Sequence, residues 1–276
     1  MNDKAVVLMY YGFPSSMDEM YDYLKDILHG KEPSQSLINE NINKLKIIGG
    51  ETPSIKIVNN IRNKIEDRLN EEGFNVYLLT KHYRPSLRDA KSIVRERTVY
   101  EVPLFPIYSK QIFDDYFVPL ELTLGTRNYH RIVNIGLHEG LIDFFRGNMP
   151  EDGFIAFSAH SIPIRGYDPY PIFLSSLVRE ISEGRDHILF YHSQGPYSPK
   201  WLGPDMDYVV NYLVRKKISS ISVLPIGFIY EHLEILFDLD HLFKDKLENA
   251  GIEYWRAKPP NDNDLVIDAI IDIMKY

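Results

Sequence analysis

Short apolar, β-branched runs alternate with longer segments of helical periodicity along the whole chain. The apolar runs predict strands over residues 5–10, 75–79, 99–106, 131–135, 154–157, 187–191, 220–227 and 253–256. The periodic segments predict helices over residues 16–28, 54–72, 86–97, 112–124, 140–147, 170–183, 204–217, 229–249 and 262–275. This alternation is typical of parallel sheets that are covered by helices on both faces.

The predicted strands fit either one large sheet or two smaller sheets. Residues 146–153, RGNMPEDG, have the composition of a linker and divide the strands into two sets of four. We therefore predict an α/β fold with two Rossmann-like halves, each a doubly wound, parallel four-stranded sheet.

Most of the unusual polar and aromatic residues follow the ends of predicted strands. Ligands of open parallel sheets bind just beyond the carboxyl ends of the strands, so these residues are expected to line a cleft between the halves. They are Tyr11, Lys81, His82, Tyr108, Ser109, His160 and Ser193.

An acidic stripe follows the strand that ends near Gly227. At about 100° per residue, Glu231, Glu234, Asp238 and His241 of the predicted helix fall within roughly 80° of arc. The remaining circumference is mainly apolar, whereas a surface helix has a wide polar face. Two interpretations stay open: the stripe faces a polar cavity, or it is a solvated edge.

His160 is the strongest single candidate for chemistry, because it stands in a short polar turn directly after a buried strand. Imidazole exchanges a proton or binds metal near neutral pH. A hydrogen-bonded structural histidine is the alternative, and Lys81 with His82 also fits a solvated loop.

Charge and composition exclude several classes of protein. A net charge of −8 argues against a nucleic-acid-binding surface. The absence of cysteine excludes disulfides, thiolate zinc sites and cysteine-ligated iron–sulfur clusters. The sequence contains no run of 18 uncharged apolar residues, the length that an integral membrane helix requires, so the cytoplasm is the expected location. GxGxxG, P-loop and HExxH motifs are absent, which argues against dinucleotide binding, nucleotide hydrolysis and zinc peptidase chemistry.

Several blocks of sequence, taken in order, resemble the signature blocks of ferrochelatases. In the second half these are FSAHSIP at 157–163, GYDPY at 166–170, SQGPYSPKWLGPD at 193–205 and PIGFIYEHLEILFDLD at 225–240. In the first half, LMYYGFP at 8–14, GGETPS at 49–54 and KHYRPSLRDA at 81–90 are similar to the family's blocks. The chain is most similar to the short, soluble, cysteine-free bacterial enzymes, including those that act on coproporphyrin.

The resemblance implies a porphyrin-binding cleft between residues 1–137 and residues 138–261, with the helix over 262–276 packed on the first half. His160 and Glu234 match the family's catalytic pair, and Asp238 joins them as a metal-binding position. Five further positions match porphyrin-binding positions of the family: Tyr11, Lys81, His82, Ser193 and Trp201.

The implied reaction is insertion of Fe²⁺ into a free-base porphyrin, coproporphyrin III or protoporphyrin IX, with release of two protons. Porphyrin and ferrous iron are the expected partners, iron is a substrate, and no tightly bound cofactor is expected. The oligomeric state stays open, with a monomer as the working expectation. Two alternatives are a cobalt chelatase that acts on another tetrapyrrole and a non-catalytic haem or porphyrin carrier. A pair of His160 and Glu234 argues against the carrier, because binding alone needs no proton acceptor beside a carboxylate.

Overall fold

A computed structural model describes residues 3–14, 16–195 and 200–275 of the chain. The strands are β1 Lys4–Tyr10, β2 Phe74–Thr80, β3 Thr98–Pro103, β4 Asn128–Arg131, β5 Phe154–His160, β6 His187–His192, β7 Ser220–Leu224 and β8 Glu253–Arg256. The α-helices are α1 Met20–Ile27, α2 Gln35–Ile47, α3 Ser54–Leu69, α4 Ala90–Ile93, α5 Lys110–Ile112, α6 Val118–Leu124, α7 Glu139–Gly147, α8 Tyr170–Ser182, α9 Met206–Lys216, α10 Lys244–Asn249 and α11 Asp264–Met274. Two π-helical segments are π1 Phe113–Phe117 and π2 Ile235–Phe243.

The first of two compact units comprises the chain up to Leu104, Gln111–Val133, and the chain from Asp262 onward. Its four strands are all parallel, in the order β2-β1-β3-β4. The central strand β1 is buried from Ala5 to Tyr10, as expected for a parallel strand that is covered on both faces. Helix α11 lies against α3, where Lys64 Nζ is 3.0 Å from Asp264 Oδ1.

The second unit comprises Phe105–Lys110 and Asn134–Asn261. Its sheet is also fully parallel, in the order β6-β5-β7-β8. Strand β5, FIAFSAH, is buried along its whole length except at His160, its last residue. The α/β architecture with two parallel four-stranded sheets is thus confirmed.

The predicted strand over 131–135 was wrong in position. Strand β4 ends at Arg131, and it pairs with β3 through Asn128 opposite Thr98. The apolar residues Ile132 and Ile135, which suggested the strand, are buried just beyond its end. β4 is a mostly exposed edge strand, so its own sequence lacks the apolar run that marks a buried strand.

Helix α2 was missed in the sequence. Ser34 caps its first turn by accepting a hydrogen bond from the Leu37 amide at 3.2 Å. Only Leu45 of this helix is fully buried, in a cluster with Met20 and Leu24 of α1. Because α2 buries so little of its surface, its apolar periodicity is weak.

The predicted helix over 229–249 differs from the structure at its start and in its winding. Residues 229–232 are not helical, and the helix continues as π2 and then α10. A π-helix pairs residue i with i+5 and is frequent at functional sites. The predicted arc of four polar residues rested on regular α-helical winding, so it does not hold over this segment.

Within the described residues, no helix is both long enough and apolar enough to cross a membrane.

Candidate active site

His160 lies at the carboxyl end of β5, opposite His192 of β6 in the sheet register. Its Nδ1 atom is hydrogen-bonded to the carbonyl oxygen of Ser161. A carbonyl oxygen only accepts, so Nδ1 carries a proton and Nε2 is the nitrogen that gains or loses one. The hydroxyl of buried Tyr170 donates a hydrogen bond to the His160 carbonyl at 3.2 Å and so stabilises the backbone at this position.

Glu234 provides the partner for that nitrogen. His160 Nε2 lies 3.4 Å from Glu234 Oε2, across 74 positions of sequence (234 minus 160). Burial opposes a charged imidazole, but the Glu234 carboxylate outweighs it and raises the pKa of His160 to about 9. His160 in turn holds the pKa of Glu234 well below its usual range, although burial acts in the opposite direction. Both side chains are more than a third exposed, so solvent screens the pair.

His232 is a second imidazole on the same carboxylate. Its Nε2 lies 3.5 Å from Glu234 Oε2, and its Nδ1 donates to the Tyr230 carbonyl at 3.0 Å. The two histidines are therefore oriented alike, each with Nδ1 on a main-chain carbonyl and Nε2 towards Glu234. Sequence reasoning missed His232, although it stands in the EHLE block beside Glu234.

A second hydrogen-bond network joins His192 and Ser193 to Asp238 of π2. The Ser193 hydroxyl donates to Asp238 Oδ2, and His192 Nδ1 lies 2.8 Å from the same hydroxyl oxygen. Because the serine proton is directed to Asp238, His192 Nδ1 is the donor in this second bond. Burial lowers the pKa of His192, so this side chain is neutral at pH 7. His192 was also missed in the sequence; a histidine that ends a buried strand was its only signal.

Gly227 brings the acidic segment up to β5. A Cβ atom at this position would lie 2.6 Å from both Cα and Cβ of Ala159, closer than real contacts allow. The Gly227 amide donates to the Ser158 carbonyl at 3.1 Å. Glycine therefore permits the close backbone approach that delivers His232 and Glu234 to the end of β5.

The acidic stripe predicted from the sequence is divided in the structure. Glu231 is buried and accepts from Arg256 Nη1 at 3.0 Å. The same guanidinium binds both carboxylate oxygens of Asp240 at 2.6 Å. Glu231 thus belongs to a buried structural ion cluster, so neither a polar cavity nor a solvated edge describes its surroundings. Glu234, in contrast, lies beside His160 and His232, and Asp238 lies beside His192.

The first unit holds a separate group made of Tyr11, Lys81 and His82. Lys81 Nζ lies 5.7 Å from the centre of the Tyr11 ring and 2.6 Å from Asp115 Oδ2. The His82 ring meets the Tyr11 ring edge-on at 5.0 Å. Asp26 orients His82 by bonding its Nδ1 at 3.0 Å. These three sequence-predicted residues are therefore neighbours.

Trp201 lies near the segment that follows His160. It forms an isolated antiparallel bridge with Pro163, and the Leu202 amide donates to the Ile162 carbonyl at 3.1 Å. Residues 196–199 of the SQGPYSPKWLGPD block lie outside the described residues. Across the described ranges, no three His, Asp or Glu side chains are grouped so as to hold a metal ion, so a metal role for His160, Glu234 and Asp238 stays a prediction.

Two solved structures that are similar to this chain are SirB and CbiX. The sirohydrochlorin chelatase SirB from Bacillus subtilis subspecies spizizenii, in complex with cobalt, superposes with a TM-score of 0.59 and 8% identity, covering 99% of this chain and 94% of that one. CbiX, described as the terminal enzyme of sirohaem biosynthesis in denitrifying bacteria, gives a TM-score of 0.57 and 14% identity, covering 98% and 97%. At such identities the likeness shows the fold alone.

Curated relatives are similar over nearly their whole lengths. A ferrochelatase of Thermoplasma acidophilum is 33% identical, with 96% of this chain and 88% of that protein covered. Coproporphyrin III ferrochelatase 2 of Bacillus cereus is 28% identical, with 98% and 93% covered. The family profile described as Ferrochelatase matches residues 3–276. The family predicted from the signature blocks is confirmed: this chain belongs to the ferrochelatase family.

Proposed function

We propose that this enzyme inserts Fe²⁺ into a free-base porphyrin, releases two protons, and uses His160 and Glu234 for proton transfer. Family membership over residues 3–276 supports the reaction. The observation that carries the assignment of residues is the 3.4 Å pair between His160 Nε2 and Glu234 Oε2. Insertion replaces two pyrrole N–H bonds by bonds to iron, so a positioned base that accepts those protons lowers the barrier.

The geometry supports a proton route that runs from His160 through Glu234 to His232. With Nδ1 committed to a carbonyl, His160 accepts a proton only at Nε2, which faces Glu234. Glu234 also meets His232 Nε2 at 3.5 Å, so a proton that reaches the carboxylate has an onward acceptor. A pKa of about 9 makes His160 an imidazolium at pH 7. His160 must therefore lose this proton before it accepts one from the porphyrin, so insertion should speed up as pH rises towards 9.

Asp238 is proposed to assist metal approach. It stands four residues after Glu234 at the other end of the His192–Ser193 chain. Carboxylate and imidazole groups bind Fe²⁺, and no thiolate competes because the sequence has no cysteine. Iron is thus proposed as a substrate that passes these side chains, without a tightly bound cofactor.

Porphyrin contacts are proposed for Tyr11, Lys81 and His82 of the first unit and for Ser193 and Trp201 of the second. Tyr11 is 39% exposed and offers a flat ring for stacking. Lys81 offers a cation to a propionate. The Bacillus cereus relative is named for coproporphyrin III, which has four propionates where protoporphyrin IX has two. Both porphyrins remain proposed substrates.

A two-porphyrin metallation assay tests the reaction. Anaerobic incubation with Fe²⁺ is expected to change the visible spectrum of coproporphyrin III or protoporphyrin IX to that of the iron complex, with many turnovers per enzyme. Stoichiometric binding without turnover would indicate a carrier instead. Co²⁺ in competition with Fe²⁺, and other tetrapyrroles in competition with these porphyrins, separate a cobalt chelatase from a ferrochelatase.

The role of His160 is tested with His160→Ala. This variant should bind porphyrin, seen by quenching of porphyrin fluorescence, but should lose insertion by a factor of roughly 100 or more. His187→Ala is the matched control, because His187 lies at the opposite end of neighbouring strand β6 and is exposed. Normal turnover by His160→Ala would remove His160 from the mechanism.

We further propose that the enzyme works in the cytoplasm and as a monomer. Fractionation of cells that express the chain tests the location. Light scattering of the purified protein against its mass of 32.2 kDa tests the oligomeric state.

A further inference from the structure

A cavity of about 320 Å³ lies along β2, the edge strand of the sheet in the first unit. Val76–Leu79 of β2 form its floor, α3 contributes Ile55 and Arg62, and α4 contributes Ile93. The segment 83–85 also lines it. Tyr11, Lys81 and His82, the residues proposed to contact porphyrin in this unit, are not among its lining residues. The cavity is therefore distinct from that group.

Two guanidinium groups line the cavity, and none of its described lining residues is Asp or Glu. Arg84 is exposed and makes no ion pair with any residue that the structure describes. Arg62 uses Nη1 for Glu66 at 3.4 Å and Nη2 for Asn63, whereas its buried Nε has no partner among the described residues. In a chain of net charge −8, the charged residues among the described lining are both cations, although Arg62 also pairs with Glu66, and this favours an anionic ligand.

Tyr10 adds a third donor to the same cavity. Its side chain is only 7% exposed and lines the cavity beside Val76 and Leu78. Burial raises the pKa of Tyr10 to about 12, so the hydroxyl keeps its proton at neutral pH. The Tyr10 hydroxyl is thus a donor for a ligand oxygen, and such an oxygen would also remove the energetic cost of the buried Arg62 Nε, which has no acceptor among the described residues.

The rest of the wall is largely apolar and includes Phe13, Ile55, Leu79 and Ile93. The Tyr77 hydroxyl is already bonded to Glu96 at 2.8 Å, so it offers little to a ligand. A ligand that fits must therefore combine an anionic oxygen with an apolar body. At roughly 30 Å³ for each water-sized group, the cavity holds about ten non-hydrogen atoms.

We propose that this cavity binds a small organic carboxylate, with its anionic oxygens at Arg62, Arg84 and Tyr10 and its apolar body against Ile55 and Ile93. The proposal concerns a second site and does not depend on porphyrin metallation.

Methyl NMR of the whole protein with labelled isoleucine δ1 groups tests this proposal, because Ile55 and Ile93 line the cavity from two different helices. The probe is 3-phenylpropionate, which has about the required size. Its addition should shift both methyl signals in a saturable way. The neutral isostere 3-phenylpropionamide should bind at least about tenfold more weakly, because it lacks the charge-assisted hydrogen bonds.

Arg62→Gln and Arg84→Gln should each weaken binding of 3-phenylpropionate by roughly tenfold. Lys56→Gln is the matched control, because it removes a positive charge from α3 without touching the cavity, and its affinity should be unchanged. An unchanged methyl spectrum without probe verifies the fold of each variant. The proposal is overturned if the two methyl signals do not move, if the amide binds equally well, or if both arginine variants bind like the Lys56 variant.

Discussion

Glu101 is a fully buried carboxyl group in the middle of the first unit's sheet, and its protonation should control stability. It lies on β3 between Val7 of β1 and Arg131 of β4. Neither carboxyl oxygen has a hydrogen bond within the described residues, and Arg131 Nε approaches only to 3.6 Å. Arg131 is bonded instead to Glu121, with Nε at 2.8 Å from Oε1.

Burial raises the pKa of Glu101 from the ordinary 4.5 to about 9. The negative charge of Glu121 raises it further, and the positive charge of Arg131 lowers it. The folded protein thus holds a proton here that the unfolded chain releases above pH 4.5. Stability from this group is fully present below pH 4.5 and is lost as pH rises towards 9. The free energy of unfolding falls by about 1.4 kcal/mol for each pH unit above 4.5, so about 3 kcal/mol is lost at pH 7.

Glu101→Gln keeps the shape of the protonated acid but cannot ionise. Its free energy of unfolding should match that of the parent near pH 4.5 and exceed it by about 3 kcal/mol at pH 7. Urea unfolding of both proteins at steps from pH 4.5 to 9 measures this difference. A difference that does not change with pH would refute the assignment of a neutral buried Glu101.

Glu96 provides a matched control of opposite sign. It is buried too, but hydrogen bonds from Asn75, the main chain and Tyr77 outweigh burial and lower its pKa. The stability it contributes is present above its ordinary pKa and lost as pH falls through the lowered one. Glu96→Gln should therefore destabilise the protein at pH 7, and this effect should shrink under acid.

Three further predictions concern the second unit. Glu234→Gln removes the charge that raises the pKa of His160, so the rising limb of kcat/KM against pH should move to lower pH in the metallation assay; an unmoved limb would contradict the pairing. Arg256→Gln leaves Glu231 buried without its cation and should reduce the free energy of unfolding, measured by urea titration, by about 3–5 kcal/mol. A loss below about 1 kcal/mol would show that the cluster is dispensable for stability. Gly227→Ala places a methyl group 2.6 Å from Ala159, so metallation should fall by roughly tenfold or more while urea titration detects any loss of fold, and full activity would show that the turn can move.

The fold class was accessible from sequence because a buried parallel strand carries its signal within five to seven neighbouring residues. β1 and β5 are buried on both faces; β1 was predicted to within one residue, and β5 was predicted with the correct start but ends three residues later than expected. Edge strand β4 and helix α2 bury little surface, and the first was misplaced while the second was missed. Their stability comes from neighbours in space, which a local pattern does not record.

The sequence by itself also determined the family and pointed to His160 and Glu234, because both stand in specific blocks. Only the tertiary structure decided which polar residues belong to the candidate active site and which belong to the buried ion cluster. It brings Nε2 of His160 and of His232 to one carboxylate, and it assigns Glu231 to the buried cluster of Arg256. The physical reason is that pairing depends on a close approach of β5 to the turn at Gly227, and that the following segment, which carries Asp238 and Asp240, is π-helical. Neither feature follows from regular helical periodicity.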